Sequence, residues 1–284
     1  MAITAKMVQE LRSRTGAPLM DCKRALTATE GDLETAIDNL RKAGLKSAEK
    51  RAGRATAEGR VRAFTSADGK VGSMVALTSE TDFVAKTEDF EKLTQELAKH
   101  VAEQAPADVE ALLAQELAGS GGIQETIKSL SGKMGENMQV ATLARYENPT
   151  GRVGAYVHHD QKQGALISIT SSKSADEIDG FIKHLAMHVV AKKPEALNRE
   201  DISQDTIERE RKVFLESEDV LKKPEDKREM IVNGKLEKFY AGSTLLEQPW
   251  VLDDKLSVKK ALAQTLGDDA RIEGFTLCVA SDAS

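Results

Sequence analysis

The chain has 284 residues, 40% of them hydrophobic and 30% charged, and it carries a formal net charge of -6. That composition can bury a substantial core and excludes wholesale disorder, and no apolar run approaches the roughly 20 residues needed to cross a bilayer. Cys22 and Cys278 are too few and too far apart for a disulfide framework or zinc spacing, which fits a reducing cytoplasm.

Lys6, Glu10, Arg12 and Arg14 interrupt the apolar start that a secretory leader requires. The first 45 residues instead predict three short helices. Thr4 caps the first, whose face carries Met7, Val8 and Leu11 before Gly16 stops it. A second covers about residues 20–26 and ends at Gly31. The third starts at Asp32, places Leu33, Ala36, Ile37 and Leu40 on one face, and is expected to stop at Gly44. So small a bundle suits docking better than chemistry.

Residues 1–60 hold 12 Lys and Arg against 8 Asp and Glu, so the positive charge gathers at this end of an otherwise acidic chain. An acidic body argues against a dedicated nucleic-acid binder. Residues 46–60 read as a linker, and the basic run Arg41, Lys42, Lys46, Lys50, Arg51 and Arg54 as a solvated part of it. A local RNA or ribosome contact through residues 41–54 is the alternative reading.

Beyond the linker the pattern turns to alternation. Val61, Ala63 and residues 71–77 predict two strands around an Asp68-Gly69 hairpin turn. Helical spacing returns with Phe90, Leu93, Leu97 and Val101, then over residues 109–117 and 123–134. The intervening glycine-rich residues 119–122 lack P-loop spacing and read as an interhelix loop. Strands are expected near Met138 to Tyr146, at 153–157 and at 165–169. A helix follows from about Ala175 to just before Pro194.

Residues 203–229 carry 16 charges in 27 positions with sparse apolar residues, Ile207, Phe214, Val220 and Leu221, and are broken by Lys222-Lys223-Pro224. They predict a solvated two-helix hairpin standing off the body. A helix near 256–266 and a strand at 274–279 complete an α+β pattern, with strands clustered rather than alternating with helices.

Few constellations suggest chemistry. His184 and His188 stand one helical turn apart, as if sharing a face, but Leu185 occupies the position where a zinc-protease pattern needs Glu. His158-His159-Asp160 reads as strand, where neighbouring imidazoles point to opposite faces. No nucleophile lies in a recognisable motif, and neither a cofactor nor a metal site is expected. Thr81-Asp82-Phe83-Val84-Ala85-Lys86 stands out at a strand-to-helix junction. Read locally, Thr81 or Asp82 caps a helix and Phe83 packs inward.

The same six residues resemble the signature of the bacterial elongation factor Ts family. Leu11-Arg12, Arg14-Thr15-Gly16-Ala17 and residues 20–26 resemble its ubiquitin-associated-type N-terminal domain. Lys133-Met134-Gly135-Glu136-Asn137, Gly154-Ala155-Tyr156-Val157-His158 and residues 183–188 resemble further family segments in the same order. The resemblance spans almost the whole chain. It implies a three-helix domain over residues 1–45 and a core with antiparallel sheets in two subdomains, 61–137 and 138–200 with 241–284. Residues 201–240 would be an inserted coiled-coil hairpin associated with dimerisation.

In function it implies a guanine nucleotide exchange factor, not an enzyme, whose partner is the GTPase elongation factor Tu in GDP-bound and nucleotide-free forms. Thr81, Asp82, Phe83 and Val84 would disturb the GTPase's magnesium site. Met134, Gly135 and His158 would belong to the same contact surface, and Lys23 to a separate grip by the N-terminal helices. Lys183, His184 and His188 fit contact or internal packing equally. Some relatives carry a further helical module after the last strand. This chain stops at Ser284, so that contact is not expected, and both monomer and homodimer stay open.

Overall fold

The computed structural model describes residues 2–281, so the end of the chain around Ser284 lies outside the described residues. Three helices open it: α1 (Ala5–Thr15), α2 (Leu19–Ala28) and α3 (Leu33–Glu49). The Thr4 hydroxyl accepts the Met7 N–H at 3.3 Å, and Gly16 ends α1 at φ 67°, a left-handed conformation that glycine adopts without a Cβ penalty. Val8, Leu11, Cys22, Ala25, Leu26 and Ala36 close a small core between them.

Two strands follow, β1 (Glu58–Thr65) and β2 (Val71–Ser79), joined at the turn where Gly69 has φ 66°. Next come α4 (Asp82–Ala85), α5 (Glu88–Gln104) and α6 (Val109–Leu113). The helix expected over 109–117 ends early. Glu116–Leu117 (β3) instead pairs with Gly121–Gly122 (β4), making the glycine-rich segment a minimal hairpin. Then come α7 (Ile123–Met134), β5 (Met138–Glu147), β6 (Arg152–Val157), β7 (Gln163–Thr170) and α8 (Ala175–Lys192). Ser174 and Glu177 form a reciprocal capping box at the start of α8.

The charged region holds α9 (Gln204–Glu216), a short α10 (Glu218–Leu221) and α11 (Glu225–Ser243). The expected break at Lys222-Lys223-Pro224 is present, but the second arm runs to Ser243. This hairpin has its own small core of Val220, Val232 and Leu236, flanked by Ile207, Phe214 and Tyr240. At its root Arg199 pairs with Glu237 at 2.8 Å and Glu247 at 2.5 Å, and its guanidinium lies 4.6 Å from the Tyr240 ring centre. The chain ends through β8 (Pro249–Trp250), β9 (Asp253–Ser257), α12 (Val258–Leu266) and β10 (Arg271–Val279).

The larger strands form two three-stranded antiparallel sheets, β1-β2-β5 and β10-β7-β6. Alternation along the strands explains how they stack. Val75 and Leu77 of β2 face Phe90, Leu97 and Ile127 of the helices on one side. Met74 and Ala76 face Val153 and Leu166 of the second sheet. Ala165, Ile167 and Ile169 of β7 turn the other way, onto Phe181, Leu185 and Leu262 of α8 and α12. The body is therefore four layers, helices outside and two sheets within. Because β5 pairs with β2 throughout its length, a division at 137/138 would cut a strand from the sheet it completes.

Gly44 does not stop α3. A Cβ on Gly132 of α7 would lie 2.8 Å from the Gly44 backbone, so the glycines mark a close helix crossing, and α3 continues to Glu49. The segment expected as a solvated linker is fastened to the body there. Arg41 pairs with Glu125 at 3.4 Å, Glu49 with Lys128 at 3.7 Å, and Arg51 donates to the Ser131 carbonyl at 3.2 Å. Lys133 passes across Gly16 to reach Asp89 at 2.6 Å.

Candidate docking site

β2 delivers the chain to Thr81, which stays extended at φ -129° and ψ 156° before α4 begins. Thr81 occupies the cap position, yet its side chain makes no capping bond. Its hydroxyl donates to Glu136 Oε1 at 2.6 Å, and its N–H donates to Glu136 Oε2 at 2.9 Å. Val84 and Ala85 bury themselves in the core beneath α5. With those two turned inward, the four-residue α4 points Phe83 out, 82% exposed. The inward Phe83 of the local reading is thus overturned. Asp82 bonds Lys86 at 2.6 Å, and that hydrogen bond, aided by the positive charges of Lys162 and Arg60, holds its carboxyl below the usual range.

The neighbouring turn is built by the end of α7. Gly135 takes φ 82° and donates its N–H to the Ser131 carbonyl, a position open enough that a side chain there would meet no neighbour within 4 Å. Met134 is half-buried against the core beneath α5. The Ser131 hydroxyl donates to the Glu136 carbonyl at 2.5 Å, and the Asn137 N–H donates to Glu80 Oε1 at 2.6 Å. The Asn137 amide reaches the Arg54 carbonyl at 2.7 Å, and Arg54 pairs with Glu80 at 3.4 Å. The structure thereby fastens the Thr81-to-Val84 segment to the turn carrying Met134 and Gly135. Sequence reasoning missed Glu80 and Glu136. The only local hint was a glutamate directly after a glycine that ends a helix.

His158 lies just past the end of β6 rather than in a strand, so the alternation expected for His158 and His159 does not hold. Their ring centres are 4.3 Å apart. Among the described residues, however, no group of three or more His, Cys, Asp or Glu could hold a metal ion. His158 Nδ1 is 3.0 Å from the Tyr156 hydroxyl. Its turn abuts β1, where the Val61 N–H donates to the Gln161 carbonyl at 2.7 Å and Lys162 pairs with Glu58 at 2.5 Å. His158 and Tyr156 also border a groove of about 430 Å³ with His184, Met187, Val251 and Leu252.

His184 and His188 do not act as a pair. His184 and Lys183 are exposed, whereas His188 is fully buried, stacked on Trp250 with ring centres 5.3 Å apart. Lys23 sits on the exposed face of α2, one turn from Leu19 and Met20, the latter 64% exposed. It belongs to the N-terminal bundle and not to the cluster around Thr81.

Among the described residues, no helix is long and apolar enough to cross a membrane. The model of the family described as "Elongation factor TS" matches residues 80–278. A protein of Azoarcus sp. named "Elongation factor Ts" is 44% identical over 99% of this chain and 91% of its own length. Proteins of the same name from Trichlorobacter lovleyi and Desulfovibrio desulfuricans are 39% and 40% identical, over 97% and 96% of this chain and 91% and 96% of theirs. Matched by the family model over most of its length and by such relatives from near one end to the other, the chain belongs to the elongation factor Ts family.

Proposed function

We propose that this chain is a guanine nucleotide exchange factor for the GTPase elongation factor Tu, releasing GDP by pressing the Phe83-bearing turn into the GTPase beside its magnesium and phosphate site. The observation that carries the reading is the exposure of Phe83 on a turn whose next two residues are anchored in the core. An aromatic side chain left in water costs stability and gains nothing for the free protein. Inserted into a partner's groove, one ring brings a large apolar area at little loss of rotamer freedom. Beside it, Asp82 is kept ionised by Lys86 and carries a charge that a magnesium ligand set must accommodate.

The task requires no covalent chemistry. Tight GDP binding rests on phosphate and magnesium contacts. A factor that prefers the nucleotide-free partner weakens GDP by the coupling free energy between the two ligands. In this reading Met134, Gly135 and His158 extend the contact around the wedge, while Lys23, with Leu19 and Met20, grips the partner from the N-terminal bundle. The RNA-binding alternative loses support because Arg41, Arg51 and Arg54 already pair with Glu125, the Ser131 carbonyl and Glu80 of the chain itself.

The test is release of fluorescently labelled GDP from elongation factor Tu. A core phenylalanine cut to alanine costs about 3–5 kcal/mol. Phe83→Ala is instead expected to leave the melting temperature nearly unchanged and to slow stimulated release strongly. By reciprocity, added GDP should weaken binding of the variant less than it weakens binding of the parent. A large fall in melting temperature with undiminished release would overturn the wedge.

A further inference from the structure

We propose that Glu136, with Glu80, is a positioning residue that holds the Phe83-bearing turn rigid, an inference that rests on the exchange reading above. Strands β2 and β5 pair in register as far as Ser79 and Met138. Beyond that pair the backbone ladder ends, and two side chains continue it. The Glu80 carboxylate takes the Asn137 N–H at 2.6 Å, and the Glu136 carboxylate takes the Thr81 N–H at 2.9 Å. Each strand thus lends a carboxylate to the other's next free amide.

Glu136 does more than close one bond. Its second oxygen accepts the Thr81 hydroxyl at 2.6 Å, so a single carboxylate grips Thr81 at two points. Because the acceptor is a carboxylate, both bonds are charge-assisted. An amide could keep both contacts only by reversing the hydroxyl bond, with Thr81 Oγ1 accepting from its N–H₂, and both bonds would lose the carboxylate's charge. Glu136 is itself pinned by the Ser131 hydroxyl on its carbonyl at 2.5 Å. The whole arrangement lies one residue from Asp82 and two from Phe83.

Rigidity matters because α4 has four residues, too few for a helix to hold its shape unaided. A wedge on a yielding turn folds back when pressed, and ordering it on contact subtracts from the coupling it transmits. The carboxylate grip supplies that order in advance. It also makes the Thr81 segment and the Met134–Gly135 turn a single surface, although 55 residues separate Thr81 from Glu136.

The test compares full-length Glu136→Gln, Thr81→Val and Thr81→Ser in stimulated GDP release, separating the maximum rate from the half-saturating factor concentration. Glu136→Gln and Thr81→Val are expected to lower the maximum rate about tenfold, the scale of two charge-assisted bonds made neutral or of one bond lost, with little change in half-saturation. Thr81→Ser keeps the hydroxyl and should retain most of the parent rate. The Glu136→Gln/Thr81→Val double variant should be no slower than the worse single one, because both remove the same grip. Parent-like maximum rates in Glu136→Gln and Thr81→Val, alongside a defective Phe83→Ala, would overturn the positioning role and leave the wedge standing. Losses of rate that follow melting temperature, with Thr81→Ser as impaired as Thr81→Val, would overturn it too. An undiminished Phe83→Ala would remove both.

Discussion

At His188 the Val251 N–H donates to Nδ1 at 3.2 Å, which leaves the ring proton on Nε2, facing Gln248 Oε1 at 2.9 Å. The Gln248 amide donates in turn to the Gly242 and Lys192 carbonyls, which fixes its orientation. Burial is the main reason the ring's pKa is lowered. The Gln248 bond opposes this, and Lys192 adds to the lowering. Protonation would also set an Nδ1–H against the Val251 N–H. The sign follows. Below the ordinary imidazole value of about 6.5 the unfolded chain binds a proton that the folded chain refuses. Stability from this site is therefore present above pH 6.5 and is lost as the pH falls toward the lowered value. Melting temperature is expected to decline between about pH 6.5 and 5, above the carboxylate range. His188→Gln should be less stable at pH 7 but show a flatter profile in that window. Equal slopes for parent and variant would remove His188 as the cause.

The crossing of α3 and α7 governs how the N-terminal bundle is held. The two glycines at this crossing are not equivalent. A Cβ on Gly44 would sit 3.7 Å from Gly132, in ordinary contact, whereas one on Gly132 would press against the Gly44 backbone at 2.8 Å. Within a helix, glycine to alanine gains roughly 0.5–1 kcal/mol from backbone entropy alone. Gly44→Ala should accordingly keep or raise the melting temperature. Gly132→Ala forces two backbones apart and should destabilise by about 1–3 kcal/mol, as overpacked contacts do. Its second consequence is a loosened bundle, read as faster proteolysis near Arg51 and Arg54. If both variants melt alike, the close approach does not hold the bundle.

Across the molecule, the four-layer body and the charged hairpin keep separate apolar cores, joined at the root through Arg199, its carboxylates and Tyr240. A unit with its own core can be removed without opening the other. Replacing residues 205–235 by a short Gly-Ser linker, which retains Glu237 and Glu247, should leave the body folded and most stimulated GDP release intact. Sedimentation of the same variant tests the dimerisation role that the resemblance implies, which predicts weaker self-association than the parent shows. Lost release with an intact body would mean that the hairpin takes part in the push.

The sequence by itself determined where most helices and strands lie and which faces of them are apolar. Caps, turn residues and periodicity act within a few positions, as at Thr4, Asp32 and the Asp68-Gly69 turn. It also marked residues 81–86 as unusual. Only the tertiary structure decided that Phe83 faces water, because that depends on Val84 and Ala85 taking the space beneath α5. Tertiary contact likewise made Gly44 a crossing point instead of a stop, and separated His188 from His184 by burying one against Trp250. The Glu80 and Glu136 grip was illegible for the same reason. Its bonds join residues brought together by the pairing of β2 with β5, and no local pattern records which distant amide a carboxylate will meet.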